Sequence, residues 1–260
     1  MDSTEPDIVT PAGIARFFAD RKIDTFRIAG VSAIRAPEGR HPRDILPSCR
    51  TIIVFGVRMP DLSFSGTPQE QAAANRQLLL ALESAGLGLR DLLQAAGGVS
   101  EPILPLPLVA GDGKIRGRLS LKHCVADAGL GTIGDNTLLI SPVHGNRLLL
   151  GAVITDHAIA PSPPPAGVAA CTHCGRCIAA CPSGAIRDGD VDLASCRAFT
   201  DYIPRPLRSL AFRLIRGGWS SRLVTAVLNL AGPFVVNRVD IRMTCTACMT
   251  ACPYFHKGER

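Results

Sequence analysis

Four closely spaced cysteines in the last third of the chain constrain its fold more than any other feature. The run contains Cys171, Cys174, Cys177 and Cys181, followed directly by Pro182. The spacing C-x2-C-x2-C-x3-C-P is that of bacterial ferredoxins, in which cysteine thiolates hold cubane iron–sulfur clusters. A second, shorter run that also ends in Cys-Pro contains Cys245, Cys248 and Cys252. The two runs predict a protein that transfers electrons one at a time.

The spacing also divides the ligands between two clusters. In two-cluster ferredoxins the fourth cysteine of a run ligates the other cluster. The first cluster is therefore assigned Cys171, Cys174, Cys177 and Cys252. The second is assigned Cys181, Cys245 and Cys248, and it lacks a fourth ligand because Arg242 stands where an ordinary run has a cysteine.

We expect Cys196, which lies between the two runs, to complete the second cluster. A three-iron cluster, or no second cluster, is the alternative at this position. For the whole region the alternative is a structural zinc site, because C-x2-C pairs also bind zinc.

Size and composition predict a globular protein of two modest domains. The chain has 260 residues, of which 47% are hydrophobic and 19% are charged, and this balance is typical of a well-buried core. We predict an α+β domain over residues 1–158 and a ferredoxin-like domain with two clusters over residues 168–260. Residues 159–167 contain four prolines, which favour a stiff linker between the two.

Hydrophobic patterning places several elements in the N-terminal domain. It predicts helices over residues 10–22 and 67–96, and strands over residues 50–57, 138–140 and 148–154. Two glycines at residues 86–88 predict a break in the long helix. The last two strands are predicted to pair through a turn near residues 144–146.

The start of the chain, its cysteines and its arginine-rich stretch predict where the protein is found and what it binds. Because the start of the chain is acidic, we expect no secretory leader. Ten cysteines in such a chain favour metal ligation in the cytoplasm over disulfides. The longest apolar run, residues 223–236, is too short to span a bilayer. Arginines interleaved with apolar residues over 205–222 predict one of three things: an amphipathic helix lying over the clusters, a docking face for an acidic flavodoxin or ferredoxin, or a solvated helix face without a partner. We expect no nucleic acid to bind, because this region offers few aromatic side chains that stack on bases.

The cysteine pattern resembles the double-cluster domain of the epoxyqueuosine reductase family. The shared features are a ferredoxin-type run, a detached cysteine and a shortened second run. Upstream, residues 122–139 (KHCVADAGLGTIGDNTLL) are similar to that family's A-G-L-G-x-x-G-x-N/H-x-L-L segment. Residues 47–60 and 148–156 are similar to two of its core strands. The resemblance covers most of residues 42–258.

This resemblance implies both an architecture and cofactors. It implies a nitroreductase-like, corrinoid-binding α/β domain followed by the ferredoxin-like domain, with electrons passing through two 4Fe-4S clusters to a cobalamin or a small substrate. The candidate corrinoid-binding residues are Gly129, Gly131, Gly134 and Asn136, since glycines let the backbone approach a planar cofactor closely. A tight helix-to-strand turn is the alternative role for these glycines.

The same resemblance implies a catalytic acid just upstream of the A-G-L-G segment. Asp112 is the only acid in the corresponding stretch, residues 111–118, and is therefore the candidate catalytic residue, with an ordinary turn residue as the alternative. The chain has no counterpart of the family's C-terminal helical repeats, which help to hold tRNA, so we expect a substrate other than tRNA. The other function classes open to this sequence are a non-catalytic ferredoxin-type electron carrier and a protein that reduces cobalamin for other enzymes.

Overall fold

The computed structural model describes residues 8–104, 108–111, 114–164, 167, 170–187, 189–201, 205–216 and 243–256. Its helices are α1 (Pro11–Asp20), α2 (Pro42–Ile45), α3 (Leu62–Ser65), α4 (Pro68–Ala95), α5 (Leu121–Asp127), α6 (Arg176–Ala179), α7 (Arg197–Thr200), α8 (Arg205–Arg216) and α9 (Ala247–Thr250), with a 3₁₀ turn at Val31–Ala33. Its strands are β1 (Thr25–Gly30), β2 (Thr51–Arg58), β3 (Ser100–Ile103), β4 (Leu108–Gly111), β5 (Lys114–Gly117), β6 (Thr132–Ile133), β7 (Leu139–Ile140), β8 (Leu148–Thr155), β9 (Ile186–Arg187) and β10 (Asp190–Val191).

A four-stranded antiparallel sheet forms the centre of the N-terminal region. Its strand order is β1-β2-β8-β3. β2 pairs with β1 on one side and with β8 on the other, so that Ile53 lies opposite both Ile28 and Val153. Seven of the eight residues of β2 are buried, because helices cover both faces of the sheet.

Each face of the sheet packs against its own helices. Alternate residues of β2, including Ile53 and Phe55, point toward α1 and α4, where Phe18 and Leu82 are fully buried. The intervening residues point toward α5 on the opposite face. The molecule is thus a mixture of helix and sheet, as the α+β prediction requires.

The long helix α4 is continuous, so the predicted break at residues 86–88 is wrong. Its start is fixed by Thr67 and Glu70, each of which accepts a hydrogen bond from the backbone N–H of the other. Gly86 is buried, and a Cβ there would lie 3.1 Å from Leu104 and 3.6 Å from Phe55. The glycine therefore lets the helix approach the sheet closely instead of ending it.

The predicted pairing of the last two N-terminal strands is also wrong. β7 pairs with β6, whereas β8 joins the central sheet between β2 and β3. The turn between them is closed by a bridge between Ser141 and Gly145. β8 has eight residues, five of them buried, and it buries more apolar surface at the centre of the sheet than pairing with the two-residue β7 would allow.

The cysteine-rich region is built from short elements that pack onto the N-terminal core. Met249 and Phe255 belong to the same buried cluster as α1, α4 and the sheet. The domain boundary at residues 159–167 stays a prediction, but the second cysteine run shares its hydrophobic core with the N-terminal domain. Among the helices in the described part of the chain, none is long and apolar enough to cross a membrane.

Candidate metal centre

One pocket brings together the four cysteines assigned to the first cluster. Its lining includes Cys171, Cys174, Cys177 and Cys252, together with residues 134–136 and Ile140 of the N-terminal domain. Three of these thiols come from the first run and one from the second. Soft, anionic thiolates around a single pocket are the donor set that an iron–sulfur cluster requires.

Tight turns present the sulfurs of the first run to this pocket. His173 and Gly175 both have positive φ, +50° and +69°, which turns the chain sharply between successive cysteines. α6 then begins at Arg176 and carries the buried Cys177. A backbone hydrogen bond from Arg176 lowers the pKa of the Cys174 thiol, so the loop favours the thiolate form that binds metal.

The thiols assigned to the second cluster also lie close enough to interact. Burial, together with the charges of Cys196, Cys245 and Cys181, raises the pKa of Cys248 to about 11. Burial also raises the pKa of Cys196, and the charges of Cys245 and Cys181 contribute to the same rise. A neutral thiol is favoured here because several thiolates would repel one another without a metal.

Three cysteines assigned to the second cluster lie on or beside short helices and turns. Cys196 is the N-cap of α7, and Cys248 lies on α9. The sulfur of Cys181 accepts a hydrogen bond of 3.3 Å from the backbone N–H of Ala185. Burial opposes ionisation of Cys181, but this bond and one from Ser183 hold its pKa below the ordinary value. The fold therefore brings the four cysteines assigned to the first cluster to one pocket and places Cys181, Cys196, Cys245 and Cys248 close enough to interact. Their division into two sets of metal ligands stays a prediction.

A histidine–aspartate pair beside the first pocket was missed by sequence reasoning. His173 Nδ1 lies 2.7 Å from Asp135 Oδ1. These two groups and the Cys171 sulfur all lie within 4.8 Å of one another. The pair ties the first cysteine run to the glycine-rich segment of the N-terminal domain. No spacing rule identifies it, because the two residues are 38 positions apart.

The glycine-rich segment lies against the cysteines, and its glycines have packing roles. A Cβ on Gly131 would lie 2.3 Å from the carbonyl oxygen of Ile140, and one on Gly134 would lie 2.9 Å from the Ile140 side chain. Gly129 has a φ of +84°. These contacts support the tight-turn alternative, while the role of Gly129, Gly131 and Gly134 in corrinoid binding stays untested.

Asn136 is engaged with the protein through both ends of its amide. Its Nδ2 donates to the carbonyl oxygen of Cys248 at 3.2 Å, and its Oδ1 accepts from the backbone N–H of Leu138 at 3.3 Å. The intervening Thr137 has a φ of +61°, a region that β-branched residues rarely occupy. The fold thus holds this strained loop so that the Asn136 side chain contacts the second cysteine run. The predicted contact of Asn136 with a corrinoid stays untested.

The candidate acid and the two cysteines outside the cluster assignment lie away from this pocket or outside the described residues. Asp112, the candidate catalytic acid, lies outside the described residues. Cys49 and Cys124, which the spacing leaves out of both clusters, are buried together in the core on the α5 side of the sheet. Their burial agrees with the absence of a ligand role.

Comparison with known proteins supports an iron–sulfur protein and confirms the family resemblance. The family model of the 4Fe-4S binding domain matches residues 168–187. An epoxyqueuosine reductase of Synechococcus sp. (strain RCC307) is 44% identical over 93 residues, which are 33% of this chain and 28% of that protein. The epoxyqueuosine reductase of Bacillus cereus is 30% identical over 164 residues, which are 61% of this chain and 42% of that protein. The chain therefore matches less than half the length of these relatives.

Solved structures share the fold at low sequence identity. Epoxyqueuosine reductase from Streptococcus thermophilus aligns with a TM-score of 0.60 and 19% identity, over 94% of this chain and 66% of that one. An epoxyqueuosine reductase with an epoxyqueuosine-modified tRNA stem loop aligns with a TM-score of 0.60 and 17% identity, over 94% of this chain and 64% of that one. The prediction that this chain binds no nucleic acid therefore has no support from this comparison.

A reductive dehalogenase has a similar fold. The structure, described as suggesting a mechanism for B12-dependent dehalogenation, aligns with a TM-score of 0.57 and 12% identity, over 95% of this chain and 37% of that one. The fold of this chain is thus shared with an epoxyqueuosine reductase and with a reductive dehalogenase.

Proposed function

We propose that this chain, a relative of the epoxyqueuosine reductases, is an iron–sulfur oxidoreductase that carries electrons through two 4Fe-4S clusters to a corrinoid or a small substrate. The observation that supports it most directly is the gathering of Cys171, Cys174, Cys177 and Cys252 around one pocket. The other four cysteines, Cys181, Cys196, Cys245 and Cys248, lie close enough to one another to interact. A zinc ribbon would need only one such set.

The residues that would hold the clusters follow from that grouping. Cys171, Cys174, Cys177 and Cys252 would ligate the first cluster, and Cys181, Cys196, Cys245 and Cys248 the second. Bound in these sets, the clusters would supply reversible one-electron transfer at potentials set by burial and by hydrogen bonds to sulfur. The chain itself contributes the backbone N–H groups that face Cys174 and Cys181 and the partial burial of the pocket.

A basic helix is the proposed contact for the electron donor. α8 spans Arg205–Arg216 and exposes Arg205 and Arg213. Arg208 forms an ion pair with Asp201, at 3.1 Å, close to α7 and hence to Cys196. Opposite charge accelerates the encounter of redox partners, so an acidic flavodoxin or ferredoxin is the proposed donor.

Two acceptors are proposed for the electrons, a corrinoid and a small substrate. Family resemblance and the likeness to a protein described as B12-dependent support a corrinoid. Two of the three glycines assigned to it, Gly131 and Gly134, pack against Ile140, which gives them a role without a corrinoid. A small substrate reduced directly is the second acceptor. A non-catalytic electron carrier and a cobalamin-reducing protein stay as alternatives from other classes.

Metal analysis tests the clusters. Anaerobically reconstituted protein is expected to contain about eight iron and eight acid-labile sulfide atoms per chain, as two cubanes require. The Cys196→Ala variant should retain about half of each and lose one reduced-state paramagnetic signal, whereas Cys49→Ala, which removes a buried non-ligand thiol, should retain all. Zinc in place of iron, or full iron content in Cys196→Ala, would refute the ligand assignment.

Absorption spectra test the acceptor. Protein purified anaerobically and reduced is mixed with cobalamin, and the bands of the cobalt centre are followed. Saturable binding with reduction of cobalt would support the corrinoid acceptor or the cobalamin-reducing alternative, and clusters without corrinoid affinity would support the carrier. Turnover of an epoxyqueuosine-modified tRNA stem loop, assayed in parallel, would separate an epoxyqueuosine reductase from the other candidates.

A further inference from the structure

A buried arginine of the N-terminal domain contacts the end of the second cysteine run. Arg147 immediately precedes β8, and its side chain has 0% exposure. Its guanidinium lies 4.8 Å from the centre of the Phe255 ring and 5.1 Å from that of Phe64. It donates to the carbonyl oxygen of Met59 and forms an ion pair with Asp61. A buried cation is tolerated only with such partners.

Phe255 connects this arginine to a proposed cluster ligand. The backbone N–H of Phe255 donates to the carbonyl oxygen of Cys252 at 2.9 Å, so the two residues belong to one turn. The Phe255 ring also meets Phe64 edge-to-face, with ring centres 4.9 Å apart. Phe255 is only 7% exposed. The turn that carries Cys252 is therefore fixed between an aromatic ring and a cation of the N-terminal domain.

Two asparagines hold the preceding turn by its backbone. Asn146, 3% exposed, donates through Nδ2 to the carbonyl oxygen of Met249 at 3.0 Å. Asn136 donates in the same way to Cys248. Both acceptors lie on the short helix α9, whose four residues could not be stable by themselves. These bonds therefore fix the orientation of Cys248.

We propose that Arg147, Asn146 and Phe255 form a latch that positions the second cysteine run for cluster assembly. The inference deepens the proposed function and depends on its ligand assignment. Cys252 is the ligand of the first set that comes from the second run, so it must be brought to the pocket by tertiary contacts. Neither Arg147 nor Asn146 is a ligand; each acts through the backbone or side chains next to the cysteines, as groups that orient metal ligands commonly do.

Two variants remove the latch, and a third serves as a control. Arg147→Met keeps an unbranched apolar side chain beside the two phenyl rings but removes the cation and its donors, and Asn146→Ala removes the donor to Met249. The control, Ser100→Ala, removes a buried hydrogen bond of 2.9 Å to Thr155 at the opposite end of β8. It destabilises the same sheet without touching the cysteine run.

The first readout uses the metal-free protein. Amide hydrogen exchange over residues 247–256 should become about tenfold faster in Arg147→Met and in Asn146→Ala, because the turns lose their anchor, and should stay unchanged in Ser100→Ala. Unchanged exchange in both latch variants would overturn the proposal. If Arg147→Met does not fold, Asn146→Ala decides the outcome alone, because it removes one hydrogen bond and no charge.

The second readout uses the reconstituted protein. Release of iron to a chelator should be about tenfold faster in the two latch variants, the size of effect that groups behind metal ligands have, and unchanged in Ser100→Ala at a similar loss of thermal stability. Equal release rates in all three variants would refute a role in holding the clusters. Absence of iron from the wild-type protein would instead refute the proposed function, and hydrogen exchange would still decide whether the latch exists.

Discussion

At the scale of single residues, burial separates Cys49 and Cys124 from the proposed ligands. Both thiols lie in the core cluster that includes α5, where Cys124 has 0% exposure. Burial raises the pKa of Cys124 to about 12 and also raises that of Cys49. The thiolate, which is the reactive form, is therefore scarce at both positions near neutral pH.

This difference predicts selective alkylation. In metal-free protein treated with iodoacetamide at about pH 8, below the raised pKa of both thiols, Cys49 and Cys124 should stay unmodified. The exposed Cys174 should react within the same period. Peptide mass spectrometry before and after unfolding in denaturant measures each site, and all three should react once the core is opened. Rapid native modification of Cys124 would contradict its placement in the core.

At the scale of elements, the glycines of α4 and of the β6–β7 segment serve different purposes. A Cβ on Gly88 would meet Phe17 at 3.4 Å and Arg21 at 3.6 Å, which are ordinary contacts. A Cβ on Gly131 would lie 2.3 Å from a carbonyl oxygen that cannot move aside. The first position tolerates a methyl group, whereas the second requires glycine.

Gly88→Ala should therefore stabilise the protein, since alanine favours a helix over glycine by about 0.5–1 kcal/mol. This gain corresponds to a rise of about 2 °C in the thermal midpoint, followed by circular dichroism. Gly131→Ala should lower the midpoint by several times that amount because the backbone must shift. A lower midpoint for Gly88→Ala would show that α4 packs differently around Phe17.

At the scale of the whole molecule, the two regions share a hydrophobic core. Met249 and Phe255, from the cysteine-rich region, are buried in the same cluster as Ile14 and Leu82 of α1 and α4. Removing either region would expose apolar surface that the other now covers. We therefore expect the regions on either side of the proline-rich stretch to depend on each other for folding.

This packing predicts the behaviour of a divided chain. Residues 1–158 and 159–260, produced separately, should each aggregate or bind a hydrophobic dye, because each exposes its half of the interface. Produced together, they should associate and take up more iron than residues 159–260 alone, as measured by iron content after gel filtration. Full iron content and both reduced-state signals in isolated residues 159–260 would contradict the shared core.

Local sequence rules identified several elements because the signals for them lie within a few residues. Thr10 and Pro11 mark the start of α1, where Thr10 accepts a hydrogen bond from Gly13 at 3.1 Å. The apolar run of β2 marks a strand buried on both faces. The same rules failed at Gly86, where they predicted a break in the helix. Glycine is needed there because Leu104 and Phe55 lie close to the helix.

The sequence alone determined the chemistry of the candidate site, because turn geometry within each cysteine run depends on spacings of two or three residues. Only the tertiary structure decided what supports that site. The hydrogen bond from Asn136 to Cys248 joins residues 112 positions apart, and Arg147 meets Phe255 only because both pack against the same core. Such contacts follow from the packing of the whole chain, on which local spacing carries no information.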